Sequence, residues 1–210
     1  MGEFEKELKS FCKKPTGPYL RPFAPNPRWR TASVFIIGAN PATPLREQFD
    51  DYDQYWTGLT QAPCIFWQRY RAAHGDGTSK TTGNVKELEK ELSGINCLIT
   101  NVSWLPAKKF DREVRGMLFA SSEMLKRLIA SCPAKVLFFQ GCRARTFARN
   151  AYGVVLDCCA PPQKQNNRVD GMLLLAYHHF SGMGLPKGAR FQPGKDIPAF
   201  AERIRRALAK

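Results

Sequence analysis

Two short stretches concentrate the residue types that can do chemistry. IIGANPAT (36–43) sets Gly38, Asn40 and Ala42 around a proline, and YHHFSGMG (177–184) sets His178 and His179 beside Ser181 and Gly182. Only three histidines occur in the chain, so two adjacent ones are an uneven use of a scarce residue. An imidazole near neutral pH can give or take a proton. An amide is too weak a base for that, but it can orient a water or a polar ligand. Asn101, closing CLITN (97–101), offers a second amide. Small residues such as Ser181 and Gly182 let backbone N–H groups come close to an anion. The seven cysteines, at 12, 64, 97, 132, 142, 158 and 159, contain no C-x-x-C pair. Adjacent Cys158 and Cys159 are poorly spaced as two ligands of one ion, so no metal and no cofactor is expected. Free thiols fit a reducing, cytoplasmic setting.

The elements that must position these residues are legible as apolar runs. Ser33–Ile37 (SVFII), Cys97–Thr100 (CLIT), Lys135–Phe139 (KVLFF) and Met172–Ala176 (MLLLA) have the composition of buried strands, and Val154–Leu156 of a short edge strand. Helical patterns fall at 3–12, 62–73, 84–92, 116–130, 142–150 and 196–209, the last one basic. Residues 13–30 carry five prolines and are expected to wrap the surface, and the stretch from Gly38 to about Gln61 is expected to be a long loop. Continuous apolar strands alternating with helices predict an α/β chain, a three-layer αβα sandwich around a mainly parallel four-stranded sheet. One domain over 1–210 suits the length. In such sheets ligands bind beyond the carboxyl ends of the strands. Gly38–Pro41, Asn101–Ser103, Gln140–Gly141 and His178–Ser181 all fall there.

Together the two motifs resemble the signatures of the uracil-DNA glycosylase superfamily. GANPAT is similar to the G-x-N-P-G loop of its mismatch-specific and single-strand-selective branches, and HHFSGMG to the loop after its last sheet strand. CLITN resembles the family's middle strand, and the resemblance covers about residues 20–185. It implies a monofunctional DNA glycosylase that flips a pyrimidine out of the stack and hydrolyses its N-glycosidic bond. Asn40 would then orient the attacking water, and His179 would donate to the base oxygen as charge develops. The implied base pocket takes in Gly38, Ala42, Asn101 and an aromatic floor, Tyr55 (in DQYW, 53–56) or Phe66. Ser181 and Gly182 match the phosphate-clasping part of the second motif, and Met183 the apolar wedge. His178 alternates to the other face and is expected to be structural. Three positions depart from the pattern: Ala42 replaces Gly, Phe180 replaces the second motif's first Pro, and Gly182 its second. In the strict uracil branch a Tyr at the Ala42 position blocks the pyrimidine 5-position. Ala42 therefore leaves room for 5-modified pyrimidines, modified phage cytosines among them, and both repair and antiviral defence fit.

Charge agrees with a polyanionic partner. Lys and Arg number 32 against 18 acids, a net charge of +14. Basic clusters follow three strand ends: Lys108, Lys109, Arg112 and Arg115; Arg143, Arg145 and Arg149; and Lys187, Arg190 and Lys195. DNA is thus the expected partner, of a monomer. The N-terminal MGEFEKELKSFCKK has no apolar signal core, and no apolar run is long enough to span a bilayer. A non-catalytic nucleic-acid-binding domain on the same fold is the alternative. An unrelated nucleotide-binding enzyme would show a glycine-rich phosphate loop, and neither G-x-G-x-x-G nor G-x-x-x-x-G-K-[ST] occurs. No cysteine has the local signature of a nucleophile.

Overall fold

Five-residue runs of Val, Ile, Leu and Phe cannot leave either face in water, and the computed structural model buries both. It describes residues 2–75, 79–182, 185 and 190–209. Among these, β1 (Val34–Gly38), β2 (Cys97–Asn101), β3 (Val136–Gln140), β4 (Asn167–Val169) and β5 (Met172–Tyr177) form one sheet in the order β2-β1-β3-β5-β4. β2, β1, β3 and β5 are parallel, in a register that sets Gly38 beside Asn101 and Gln140 beside Tyr177. The sheet has five strands rather than four because β4 pairs antiparallel with β5.

Helices cover both faces. Phe35, Ile37, Leu137 and Phe139 point into a cluster with residues of α1 (Glu3–Cys12), α2 (Tyr52–Thr60), α3 (Pro63–His74), α5 (Arg112–Ala130) and α6 (Gly141–Tyr152). Their neighbours Val34, Ile36, Val136 and Phe138 point the other way, onto α4 (Lys80–Glu91) and α7 (Pro193–Leu208). The alternation within each run is the period of two of a pleated strand, here apolar on both faces. Three layers result.

Three expectations need correction. Val154–Leu156 is irregular, and Val155 is 79 % exposed. The edge strand lies instead in a hairpin closed by Asp170–Gly171, both at positive φ (49° and 81°), as a two-residue Asp-Gly turn requires. The loop from Gly38 to Gln61 contains α2, whose Tyr52, Tyr55, Trp56 and Leu59 are buried at helical spacing and whose Asp51 caps the Gln54 N–H. The proline-rich segment is not confined to the surface. Leu20, Phe23 and Trp29 are buried in it, and the Ala24 N–H donates to the Ile99 carbonyl (2.8 Å), sealing the free edge of β2. No helix among the described residues is long and apolar enough to cross a membrane.

Candidate active site at the carboxyl ends of the strands

The sheet order reverses direction between β1 and β3, because the chain goes from β1 to one side and returns on the other. Such a switch point opens a crevice at the strand ends. Asn40 follows β1, Gln140–Gly141 ends β3, and His179 follows β5. Neighbouring strands lie about 4.8 Å apart, so the ends of β1 and β5 flank β3 at about 10 Å.

The loop after β1 is zipped to the segment after β2. Val102 N–H donates to the Gly38 carbonyl (3.0 Å), Ser103 N–H to Ala39 (3.0 Å) and Ala107 N–H to Pro41 (2.8 Å). Within this frame the Asn40 amide is oriented by its nitrogen. Nδ2 donates to the Ala107 carbonyl at 2.8 Å and to that of Pro41 at 3.1 Å. Two carbonyl oxygens can only accept, so the nitrogen must face them. Oδ1, which takes no hydrogen bond among the described residues, remains as a fixed acceptor. The side chain is half-buried.

Asn101 lies across Gly38. A Cβ at Gly38 would stand 2.7 Å from Asn101 Oδ1, so a larger residue there would push the Asn101 amide aside. The Asn101 amide makes no hydrogen bond among the described residues. Pro41 is buried and Ala42 is exposed at the tip of the loop. Arg21, buried beneath, donates to the Thr43 carbonyl at 2.8 Å, while Thr43 Oγ1 and the Tyr70 hydroxyl are 3.0 Å apart. Burial lowers the pKa of this guanidinium, with the nearby Tyr55 and Tyr70 acting against the shift.

The turn after β5 fixes the second group. Ser181 N–H donates to His179 Nδ1 at 3.3 Å, and Ser181 Oγ stands 2.7 Å from the same atom. A backbone N–H can only donate, so Nδ1 is an acceptor and the proton of a neutral ring sits on Nε2. Burial lowers the pKa of this imidazole, favouring that neutral form. The ring's Cδ2 edge lies against Gly141, whose φ of 80° suits glycine and where a Cβ would come within 3.6 Å of Cδ2. Gly182, at φ 87°, closes the turn through its N–H to the His179 carbonyl (2.8 Å).

No protein-family model and no curated protein matches this chain. The site therefore stands on its own geometry.

The aromatic candidates sit deeper than a pocket floor. Tyr55 is 1 % exposed, its hydroxyl bonded to the Leu20 carbonyl (3.2 Å), and Phe66 is fully buried between the rings of Phe49, Tyr55, Trp67 and Tyr70. Neither ring is open to solvent. Arg143 and Arg190 are exposed, with Arg143 over the Phe110 ring (4.9 Å). Arg145 is half-buried, and its Nε has no hydrogen-bond partner among the described residues. Ser181 and Gly182 share the His179 turn, whereas Met183 and Lys187 lie outside the described residues.

No local pattern signals the part of α4 in the site. Asn84 Nδ2 donates to the Phe180 carbonyl at 2.7 Å, and Thr81 Oγ1 stands 3.5 Å from His179 Nδ1. Both bonds end on the His179 turn across nearly a hundred residues, a relation without local signal. His178 is buried, with Cys158 Sγ 3.8 Å from its Nδ1 and Cys159 Sγ 3.5 Å from its Nε2.

Proposed function

We propose that the protein is a DNA glycosylase of the uracil-DNA glycosylase type, hydrolysing the N-glycosidic bond of a flipped-out pyrimidine. One observation carries the reading: a neutral histidine committed to Nε2–H donation and an asparagine committed to Oδ1 acceptance stand on opposite sides of β3. The strands that carry them, β1 and β5, lie about 10 Å apart.

Cleavage of the bond leaves electrons on the base, whose carbonyl oxygen becomes anionic, and cationic character at C1′ of the sugar. A neutral Nε2–H meets that oxygen without a charge to be lost beforehand, and one such preorganised donor supplies about 3–4 kcal/mol in the transition state. Asn40 Oδ1 accepts a hydrogen bond from water and aims its lone pair at C1′. The water oxygen bonds to C1′ as the C1′–N bond breaks, and its surplus proton passes to solvent or to the departing base. Asn101, whose amide makes no hydrogen bond among the described residues, is suited to a pyrimidine edge. Exposed Ala42 presents only a methyl group, which supports acceptance of uracil or of 5-modified pyrimidines, modified phage cytosines included. The net charge of +14 and the arginines after β3 supply phosphate contacts.

The test is abasic-site formation on oligonucleotides carrying uracil, mismatched thymine, or 5-methyl-, 5-hydroxymethyl- or glucosylated cytosine. Turnover on at least one is expected. Tight binding to all with no abasic product would identify a non-catalytic DNA-binding domain.

A further inference from the structure

We propose that Cys158, Cys159 and His178 form a binding site for a thiophilic divalent cation of the Zn2+ class, independent of the glycosylase reading. The three residues come from two segments. Cys158 and Cys159 lie in the bend at 158–160 after α6, and His178 follows β5. Their candidate ligand atoms all lie within 4.8 Å of one another. Cys158 Sγ is 3.8 Å from His178 Nδ1 and Cys159 Sγ is 3.5 Å from Nε2. Around a tetrahedral zinc, with Zn–S about 2.3 Å and Zn–N about 2.0 Å, ligand atoms stand about 3.5–3.8 Å apart. Both sulfur–nitrogen contacts already meet that spacing. Only one ring nitrogen can bind the ion, so the sulfur facing the other one, within 4.8 Å of the ligating nitrogen, must move inward by up to about 1 Å to complete the set.

The surroundings favour such a site. Cys158 and His178 are each 6 % exposed and held by packing, whereas Cys159 is exposed and gives an entry path. Three protein ligands leave a fourth position for water. Arg145 acts electrostatically on Cys158, and its buried Nε has no hydrogen-bond partner among the described residues. A metal thiolate is an anionic acceptor of the kind this guanidinium lacks. Two thiolates and a divalent ion are together neutral, so binding adds no net charge beside the arginine. Because His178 directly precedes His179, the bound ion would fasten the bend at 158–160 to the strand end that carries the His179 turn.

The experiment uses the full chain, stripped of metal and kept reduced with a phosphine. Cd2+ and Co2+ serve as probes. One equivalent of Cd2+ should raise the sulfur-to-cadmium charge-transfer absorption to saturation, Co2+ should give the visible bands of a tetrahedral thiolate site, and Zn2+ should displace both. Cys159→Ser and Cys158→Ser should each weaken binding at least tenfold, and His178→Gln should weaken it while part of the charge-transfer band remains. Cys64→Ser and Cys142→Ser, at the other exposed thiols, should leave the titration unchanged. Circular dichroism and melting curves check folding. Should buried Cys158→Ser unfold the chain, exposed Cys159→Ser decides the matter alone. The proposal is overturned if no saturable signal forms, or if folded Cys159→Ser binds as tightly as the parent.

Discussion

Replacing Asn40 by aspartate isolates the orientation on which the site depends. In the parent, Nδ2 donates to Ala107 O (2.8 Å) and Pro41 O (3.1 Å). Pro41 O keeps a second donor, the Ala107 N–H, so the Ala107 carbonyl is the group that loses most. A net hydrogen bond contributes about 1 kcal/mol, so Asn40→Ala should destabilise by about 1–2 kcal/mol. At about 2–4 °C per kcal/mol for a chain of this size, the melting temperature should fall by about 2–8 °C. Asn40→Asp behaves differently because an ionised carboxylate turns both attractions into repulsions, whereas the protonated acid still donates to Ala107 O. Its native pKa is therefore raised above the unfolded value of about 3.9. Below that value both states hold the proton, and the variant should lie within about 1 kcal/mol of the parent. As pH rises past about 4, the unfolded chain ionises first, and the deficit grows until the native carboxyl ionises too. Half-exposure lets the side chain turn toward water, which limits the deficit to about 2–3 kcal/mol at pH 8. Thermal melts of parent, Asn40→Ala and Asn40→Asp from pH 4 to 8, with single-turnover excision at each pH, measure this directly. A gap between Asn40→Asp and the parent that does not widen with pH would refute the amide orientation. Loss of stability in Asn40→Ala without loss of excision would leave Asn40 as the loop's staple and no more.

His179→Ala should slow single-turnover excision by about 100-fold or more while DNA affinity changes little, as separate kinetic and binding titrations will show, because phosphates supply most of that affinity. Gly38→Ala places a methyl group 2.7 Å from Asn101 Oδ1, so the amide must turn aside, at a stability cost under about 1 kcal/mol but with a loss of excision like that of Asn101→Ala; unchanged excision by a folded Gly38→Ala would contradict the place of Asn101 in the pocket. Ala42→Tyr should fold, since Ala42 is exposed, and should discriminate against 5-substituted pyrimidines; an unchanged substrate profile would place residue 42 away from the base. DNA affinity should fall steeply between 50 and 200 mM salt, the slope of log affinity against log salt being about −0.9 for each phosphate neutralised, and a flat titration would remove the basic clusters from the docking surface.

The sheet was legible because its strands are buried on both faces. SVFII, CLIT, KVLFF and MLLLA can satisfy their apolar side chains only in a covered parallel sheet, and they became β1, β2, β3 and β5 with boundaries shifted by a residue or so. Turn chemistry also lay in the chain: Asp170–Gly171 marked a hairpin more reliably than the apolar Val154–Leu156 marked a strand, since φ > 0 is a local demand and burial is not. The spacing of Tyr52, Tyr55, Trp56 and Leu59 likewise held α2 in view, obscured by the glycines and prolines around it. Residue type together with strand-end position singled out Asn40, Asn101 and His179, because a parallel sheet sends every carboxyl end to one rim. Tertiary structure decided what those groups present. The orientation of Asn40 depends on the carbonyl of Ala107, 67 residues away, and the tautomer of His179 on a turn whose position is fixed by Asn84 of α4. The approach of His178 to Cys158 and Cys159 spans 20 and 19 residues. Backbone carbonyls are the same at every position of a sequence, so bonds to them leave no trace in residue type. Only the folded chain chooses which carbonyl an amide meets.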